Sequence, residues 1–398
     1  MKAPPEAPAV PPALAACVGQ PVATVDTPAA VIDLDAMERN LARLAAFART
    51  HGVRLRPHAK MHKSAALARL QMQAGAVGVC VQKTAEAEAL AAAGVTDLYI
   101  SNEVIDPAKL RRVAALARRL HAAGGQLAIA VDSLAGVARL AAAFDLPSGA
   151  DAQALIDVFV DIDVGQGRCG VPPGEAAVAL AQAVAVQPAL RFAGLQAYHG
   201  RAQHLRSVAE RREAIARAAH AVQDTRERIE AAGLAVPLVT GAGTGTFALE
   251  TASGVWGELQ AGSYLFMDAG YAANAHDPAQ PGFEHALFIK SQVISVQAAR
   301  VVCDAGHKSH AIDSGLPVVH ALPGLPALRF ANGGDEHGIL HPAEAGGALP
   351  KRGETVWLIP GHCDPTVNLH DWLIGVRGGL ANGTVERVIR VDARGALT

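Results

Sequence analysis

Short apolar runs alternate with longer polar and alanine-rich stretches along the first two-thirds of the chain. Eight such runs occur: VRLRPH (53–58), VGVCVQ (77–82), DLYIS (97–101), QLAIAVD (126–132), DVFVDID (157–163), RFAGLQAY (191–198), VPLVTG (236–241) and GELQAG (257–262). The stretches between them space their apolar residues three or four apart, as amphipathic helices do. Eight strand-like runs separated by helix-like stretches predict repeated βα units closing into a (β/α)8 TIM barrel. An open doubly wound sheet is the alternative, but it rarely needs eight strands.

The pattern changes after about residue 275. The later runs, at 287–306, 354–362 and 385–395, are rich in β-branched residues and are separated by Gly/Pro turns, which predicts a smaller β domain. Near the start, AAVIDLD (29–35) predicts a strand, and residues 34–50 predict a helix. We therefore expect a barrel over 29–275 and a β domain over 276–398, which residues 1–28 join.

The amino-acid composition and the charge balance exclude several classes of protein. Of 398 residues, 51% are apolar and 18% are charged, which excludes a disordered chain. The 35 basic and 37 acidic residues give no electrostatic footprint for nucleic acid or an anionic membrane. No apolar run is long enough to span a bilayer, and prolines break the N-terminus where a signal peptide needs a continuous apolar stretch. Five scattered cysteines without a CxxC pair add the expectation of a reduced, cytoplasmic protein.

The segment RPHAKMHK (56–63) follows the first barrel strand, and the C-terminal ends of barrel strands form the active-site mouth. Lys60 in this segment is either a salt-bridged rim residue or a lysine that forms a Schiff base. Because neighbouring cations lower the pKa of an amine, the basic residues around it predict a lowered pKa for Lys60.

Two glycine-containing loops predict a phosphate site. TGAGTGT (240–246) follows the seventh strand and precedes a helix, and AGSY (261–264) follows the eighth. Glycines let backbone N–H groups approach an anion, and barrels commonly hold phosphate after strands seven and eight. Turns also need glycine, so each loop alone is weak evidence.

Further candidates lie after other strands. Arg168 follows the fifth strand within a glycine-rich loop, and Tyr198, His199 and His204 follow the sixth, where His204 could act as a general base. In the β domain, His362 and Asp364 would point to the same side of an extended stretch and suit a divalent metal, while Cys363 would face the other way and pack.

Six segments together resemble the motifs of a known family: RPHAKMHK, DVGQGRCG, QAYHGRAQH, TGAGTGTF, LQAGSYLFMD and PGHCDPTVNLHDW. In this order they resemble the D-threonine aldolase and D-serine dehydratase family, whose members are pyridoxal-phosphate enzymes of the alanine-racemase fold type. The resemblance runs from about Thr27 to the C-terminus. It implies a barrel with a C-terminal β domain, paired as a homodimer, which agrees with the pattern of the runs.

The resemblance also implies roles for individual residues. Lys60 corresponds to the Schiff-base lysine, and His362 with Asp364 to the metal pair. His204 corresponds to the base for the substrate hydroxyl, and the adjacent His199 could share that role. The residues that would hold the cofactor are, besides Lys60, His58, Arg168, Tyr198, Gly243, Thr244, Gly262, Ser263 and Tyr264.

The implied reaction is cleavage of a D-β-hydroxy-α-amino acid of the D-threonine type to glycine and an aldehyde. The alternatives are a D-serine or D-3-hydroxyaspartate dehydratase, which would release a 2-oxo acid and ammonia, and a 3-hydroxy-D-aspartate aldolase. The dehydratase branch tends to carry a His-x-Cys metal pair, whereas this chain has His362-x-Asp364. A carboxylate ligand favours Mn²⁺, with Mg²⁺ and Zn²⁺ as alternatives. An anionic substrate side chain would need a further cation, for which Arg201, His307 and Lys308 are candidates.

Three other functions have weaker support from the sequence. A racemase has no use for a metal pair, and a non-catalytic pyridoxal-phosphate carrier resembles the barrel alone, without a β domain. A metal-dependent barrel hydrolase is what would remain if pyridoxal phosphate did not bind.

Overall fold

The structure, a computed structural model, describes residues 9–144, 155–321 and 326–398. The first eight residues of the segment expected to join the β domain lie outside these ranges. The strands are β1 (Ala29–Asp33), β2 (Arg54–Leu55), β3 (Val79–Val81), β4 (Asp97–Ile100), β5 (Gln126–Val131), β6 (Ile156–Asp161), β7 (Leu190–Ala197), β8 (Val239–Gly241), β9 (Glu258–Leu259), β10 (Leu287–Val296), β11 (Val301–Cys303), β12 (Val318–Val319), β13 (Leu328–Asn332), β14 (Gly338–Pro342), β15 (Thr355–Ile359), β16 (Trp372–Arg377) and β17 (Thr384–Arg390). The α-helices are α1 (Pro12–Ala16), α2 (Leu34–His51), α3 (Ala65–Gln73), α4 (Thr84–Ala92), α5 (Pro107–Ala122), α6 (Leu134–Ala143), α7 (Glu175–Ala185), α8 (Val208–Ala231), α9 (Phe247–Ser253), α10 (Ala269–Ala272) and α11 (Cys363–Val367).

Eight parallel strands form the barrel, in the spatial order β2-β9-β8-β7-β6-β5-β4-β3. A parallel bridge between His58 and Cys80 joins the two ends of this order, and the N–H of Cys80 donates to the carbonyl of Pro57 at 2.9 Å. All eight predicted strands are confirmed, and the fold class with them. These strands could be predicted from the sequence because parallel strands that helices cover are apolar along nearly their whole length.

Helices surround the barrel and bury its outer face. The core between strands and helices consists mostly of Ala, Val, Leu and Ile. The longest helix, α8, begins with a capping box in which Ser207 and Glu210 satisfy each other's backbone N–H groups. This helix packs against α7 and α9 and thereby supports the loop that precedes α9.

A second sheet of nine strands forms the β domain, and its main path runs β13-β14-β11-β10-β1-β16-β17. Strand β1 lies in this sheet, antiparallel to β10 and parallel to β16. The expectation that the barrel begins at residue 29 is therefore wrong for β1. An alternating apolar strand carries no mark of which sheet it will join, because its partners lie more than 250 residues away. The other domain limits stay a prediction.

The N-terminal segment packs on this second sheet. The N–H of Gly19 donates to the carbonyl of Val385 at 2.8 Å. The buried ammonium of Lys290 donates to the carbonyls of Val22 and Ala23, each at 3.0 Å. Among the described residues, no helix combines the length and the apolar character that crossing a membrane requires.

Candidate active site

A cavity of about 350 Å³ lies at the C-terminal mouth of the barrel, where residues of the β domain cover it. Its volume is within the range of small-molecule sites. Eleven of the thirteen residues selected from the sequence line it, so segments far apart in the chain converge on one place. They are His58, Lys60, Arg168, Tyr198, His204, Gly243, Thr244, Gly262, Ser263, His362 and Asp364.

Lys60 lies on a 3-10 turn (Ala59–Met61) that follows β2. Its Nζ atom is 3.0 Å from Oδ2 of Asp364, and this carboxylate raises the pKa of Lys60. The expected lowering of the Lys60 pKa is therefore wrong. The expectation considered only cations near in sequence, and a carboxylate from the β domain outweighs them.

His58 is a buried neighbour of Lys60. Its Nε2 atom lies 3.1 Å from Ser101 Oγ and 2.9 Å from Gln82 Nε2. Burial, together with the positive charge of Lys60, holds the pKa of His58 well below its usual range. The ring is consequently neutral at physiological pH and adds no charge beside Lys60.

Arg168 and Tyr198 form a stacked pair at the cavity, with the guanidinium carbon 5.8 Å from the centre of the phenol ring. The loop before Arg168 is held by Asp163, whose carboxylate accepts hydrogen bonds at 3.0 Å from the N–H groups of Gly165 and Gly167. Both glycines have positive φ, at 122° and 68°, which other residues rarely adopt. Burial raises the pKa of Tyr198, so its phenol is protonated.

The two glycine loops lie side by side. Thr244 Oγ1 accepts a hydrogen bond from the N–H of Tyr264 at 3.0 Å, which links the loop after β8 to the loop after β9. Among the described residues, no acceptor bonds to the N–H groups of Gly243, Thr244, Gly262 or Ser263. A Cβ atom on Gly262 would lie 2.8 Å from the carbonyl oxygen of His58. Free donors and absent side chains make a cradle that fits a phosphate group.

The pair His362 and Asp364 fits a metal ion. Nε2 of His362 lies 3.6 Å from Oδ1 of Asp364, and this buried oxygen has no hydrogen-bond partner among the described residues. Ligand atoms about 2 Å from one ion stand roughly 3–4 Å apart. The expectation of an extended stretch is wrong in detail: His362 is extended, but Asp364 lies in the first turn of α11. Cys363 is fully buried and packs, as expected.

Asp268 orients the metal-pair histidine. Its Oδ2 atom lies 2.8 Å from Nδ1 of His362 and accepts the N–H of Cys363 at 3.1 Å. The side chain of Asp268 is fully buried. A carboxylate on the second ring nitrogen fixes the tautomer that presents Nε2 to a metal.

His204 and His362 both lie near Tyr271. The ring of Tyr271 is 5.1 Å from that of His204 and 6.3 Å from that of His362. Burial lowers the pKa of His204, so its imidazole is neutral and able to accept a proton near pH 7.

Two selected residues do not line the cavity. The ring of His199 lies beside Gly165, where a Cβ atom would be 2.9 Å from its Nε2. Tyr264 is buried beneath the loops, where its hydroxyl accepts a hydrogen bond from Gln71 at 3.2 Å. The shared base role of His199 and the direct cofactor contact of Tyr264 stay predictions.

Asp268 and Tyr271 were missed from the sequence, and so were Gln203 and Glu250 behind the glycine loop. Asp268 carries a helix N-cap signal, because its side chain accepts the N–H of Tyr271. Its second role, toward His362, depends on a partner 94 residues away, which no local pattern reveals.

Known proteins resemble this chain over nearly its whole length. The family model described as "Alanine racemase, N-terminal domain" matches residues 32–270, and the "Putative serine dehydratase domain" matches residues 286–376. A D-threonine aldolase of an Arthrobacter species is 43% identical over 378 residues, 95% of each chain. A 3-hydroxy-D-aspartate aldolase of Paracoccus denitrificans (strain Pd 1222) is 42% identical over 384 residues, which are 95% of this chain and 94% of the relative. The crystal structure of D-threonine aldolase from Filomicrobium marinum superposes with a TM-score of 0.89 at 46% identity, covering 96% of this chain and 99% of that one.

Proposed function

Because the chain belongs to the D-threonine aldolase and D-serine dehydratase family of pyridoxal-phosphate enzymes, we propose that it cleaves D-β-hydroxy-α-amino acids of the D-threonine type to glycine and an aldehyde. The observation that carries the proposal is the meeting of Lys60 with the His362–Asp364 pair across one cavity. The amine of Lys60, which would hold the cofactor that binds the amino acid, therefore lies next to ligands for a metal ion that the substrate β-hydroxyl can reach.

Different residues of the cavity would hold different parts of pyridoxal phosphate. The cradle of Gly243, Thr244, Gly262 and Ser263 would hold its phosphate, and Lys60 would bind its aldehyde as a Schiff base. Arg168 and Tyr198 would hold its ring. When bound, this cofactor withdraws electrons from the substrate Cα and so makes cleavage of the Cα–Cβ bond feasible.

His204 supplies the base that the cleavage needs. Its neutral imidazole takes the proton of the β-hydroxyl as the Cα–Cβ bond breaks, and the β-carbon leaves as an aldehyde. Asp268 keeps His362 oriented, and Tyr271 packs near both imidazoles.

One imidazole and one carboxylate make a donor set suited to Mn²⁺, with Mg²⁺ and Zn²⁺ as alternatives. A divalent ion held by His362 and Asp364 would act as a Lewis acid toward the substrate hydroxyl. The carboxylate at position 364, where a cysteine would favour Zn²⁺, supports the aldolase over the dehydratase.

A specific observation favours 3-hydroxy-D-aspartate as a second substrate. Arg201 lines the cavity, and no carboxylate among the described residues lies within 4.0 Å of its guanidinium. The other two candidate cations are already paired: His307 Nε2 lies 2.7 Å from Asp335, and Lys308 Nζ lies 2.5 Å from Glu336. Of these three candidates, Arg201 is thus the one that no carboxylate of the described residues occupies and that can receive a substrate β-carboxylate.

The substitution Arg201→Gln tests that second activity. We expect the ratio of kcat/KM for 3-hydroxy-D-aspartate to that for D-threonine to fall about tenfold, the effect of losing one charge-assisted contact. Lys308→Gln is the matched control and should leave the ratio unchanged. An unchanged ratio in Arg201→Gln would remove this residue from substrate selection.

Product analysis tests the main proposal. The enzyme is incubated with pyridoxal phosphate and Mn²⁺ and given D-threonine, D-serine or D-3-hydroxyaspartate in separate reactions. Glycine with an aldehyde is the expected result. Ammonia with a 2-oxo acid would identify a dehydratase instead.

We also infer that the protein is a homodimer and lies in the cytoplasm. A homodimer is supported by the family expectation and by exposed apolar side chains on the β domain, among them Ile294 and Val318. Light scattering should then give twice 41.0 kDa. A cytoplasmic location is supported by five free cysteines.

A further inference from the structure

A buried chain of side chains lies behind the glycine loop that follows β8. Gln203 Nε2 donates to Thr246 Oγ1 at 2.7 Å, and Thr246 Oγ1 donates to Glu250 Oε1, also at 2.7 Å. At the other end, Gln203 Oε1 accepts the N–H of Gly245 at 2.9 Å. The chain therefore connects the loop backbone to a carboxyl group on α9.

This network determines the shape of the loop. Gln203 and Thr246 are fully buried, and Glu250 is 1% exposed. The loop rests directly on Gln203: a Cβ atom on Gly243 would collide with its Oε1, and one on Gly245 would lie 2.5 Å from its carbonyl oxygen. Side chains packed this tightly have one arrangement, so moving Gln203 would move the N–H groups of the cradle.

The protonation state of Glu250 matters to an anion in that cradle. Its Oε2 atom is buried without a hydrogen-bond partner among the described residues. Burial raises the pKa of Glu250 to about 7, opposed only by hydrogen bonds from Thr246 and its own backbone. After burial, a negative charge on Glu250 is among the causes that raise the pKa of Tyr198 at the cavity. A carboxylate here would repel a phosphate through a medium that screens charge poorly.

We propose that Gln203, Thr246 and Glu250 form a positioning set that holds the glycine loop ready for the cofactor phosphate, and that Glu250 is protonated when the phosphate is bound. The inference rests on the proposed binding of pyridoxal phosphate. It makes α9 part of the cofactor site, although no atom of Glu250 lines the cavity.

The test compares pyridoxal phosphate with pyridoxal, which lacks the phosphate, in binding titrations followed by absorbance between pH 7 and 9. The ratio of the two Kd values isolates the phosphate from the Schiff-base chemistry they share. In the wild type, the preference for the phosphorylated form should fall about tenfold over this range as Glu250 ionises. Glu250→Gln should make the preference independent of pH, because the phosphate itself is already ionised at pH 7.

Thr246 provides a second pair of variants should Glu250→Gln fail to fold. Thr246→Val should weaken pyridoxal phosphate binding about tenfold and leave pyridoxal binding unchanged, and Thr246→Ser should restore it. The same ratio and pH profile in the wild type, Glu250→Gln and Thr246→Val would overturn this inference alone. Failure of the wild type to bind pyridoxal phosphate would overturn the proposed function as well.

Discussion

The ammonium of Lys60 and the carboxylate of Asp364 stand 3.0 Å apart, so an ion pair joins the barrel to the β domain at the cavity. The pair lowers the pKa of Asp364 to about 2, against the effect of burial, and raises that of Lys60. Asp364 also belongs to the proposed metal site. Lys60 and a metal ion therefore compete for one carboxylate, and a bound metal would free the amine to react.

Lys60→Ala should abolish both the visible colour of the bound cofactor and the cleavage activity. Without the amine there is no covalent attachment, and we expect a loss of turnover on the order of 10³-fold or more. Absorbance spectra and product assays measure the two effects. Lys308→Ala is a suitable control because this lysine is exposed and paired outside the cavity. A Lys60→Ala enzyme that keeps its colour and its activity would show that the cofactor site has been assigned wrongly.

His362→Ala should separate colour from activity. Pyridoxal phosphate should still bind, because the glycine loops and Lys60 are unchanged, while cleavage collapses for lack of a metal ligand. Chelation of the wild type should give the same result, reversible with Mn²⁺. Full turnover after chelation and in the variant would remove the metal from the mechanism.

Asp268→Asn should weaken metal binding without removing a metal ligand. The amide cannot replace the charged acceptor that orients Nδ1 of His362, and changes of this kind typically cost 10–100-fold in metal affinity or activity, about the range we expect. Titration with Mn²⁺ should show activity recovering at higher metal concentration. If the variant and the wild type are half-saturated at the same Mn²⁺ concentration, Asp268 has no role in positioning His362.

The sequence predicted the fold well because its signals are local. Each barrel strand is a short apolar run, and each glycine loop follows its strand directly, so both are visible within about ten residues. The relationships that were missed are long-range. Strand β1 pairs with β10, which lies more than 250 residues later, and His362 forms a hydrogen bond with Asp268, 94 residues away. The direction of the Lys60 pKa shift failed for the same reason, since its strongest neighbour lies in the other domain.

Glu250 should also make the stability of the cofactor-free protein depend on pH. Its pKa is about 7 in the folded state against 4.5 for an ordinary glutamate, so the folded protein binds the proton more tightly. The contribution is fully present below pH 4.5 and is lost as the pH rises through 7, by roughly 3 kcal/mol in all. Glu250→Gln cannot ionise. Its free energy of unfolding in urea, relative to that of the wild type, should therefore rise between pH 5 and pH 8. Parallel curves for the two proteins would mean that Glu250 is ionised in the fold or reaches solvent.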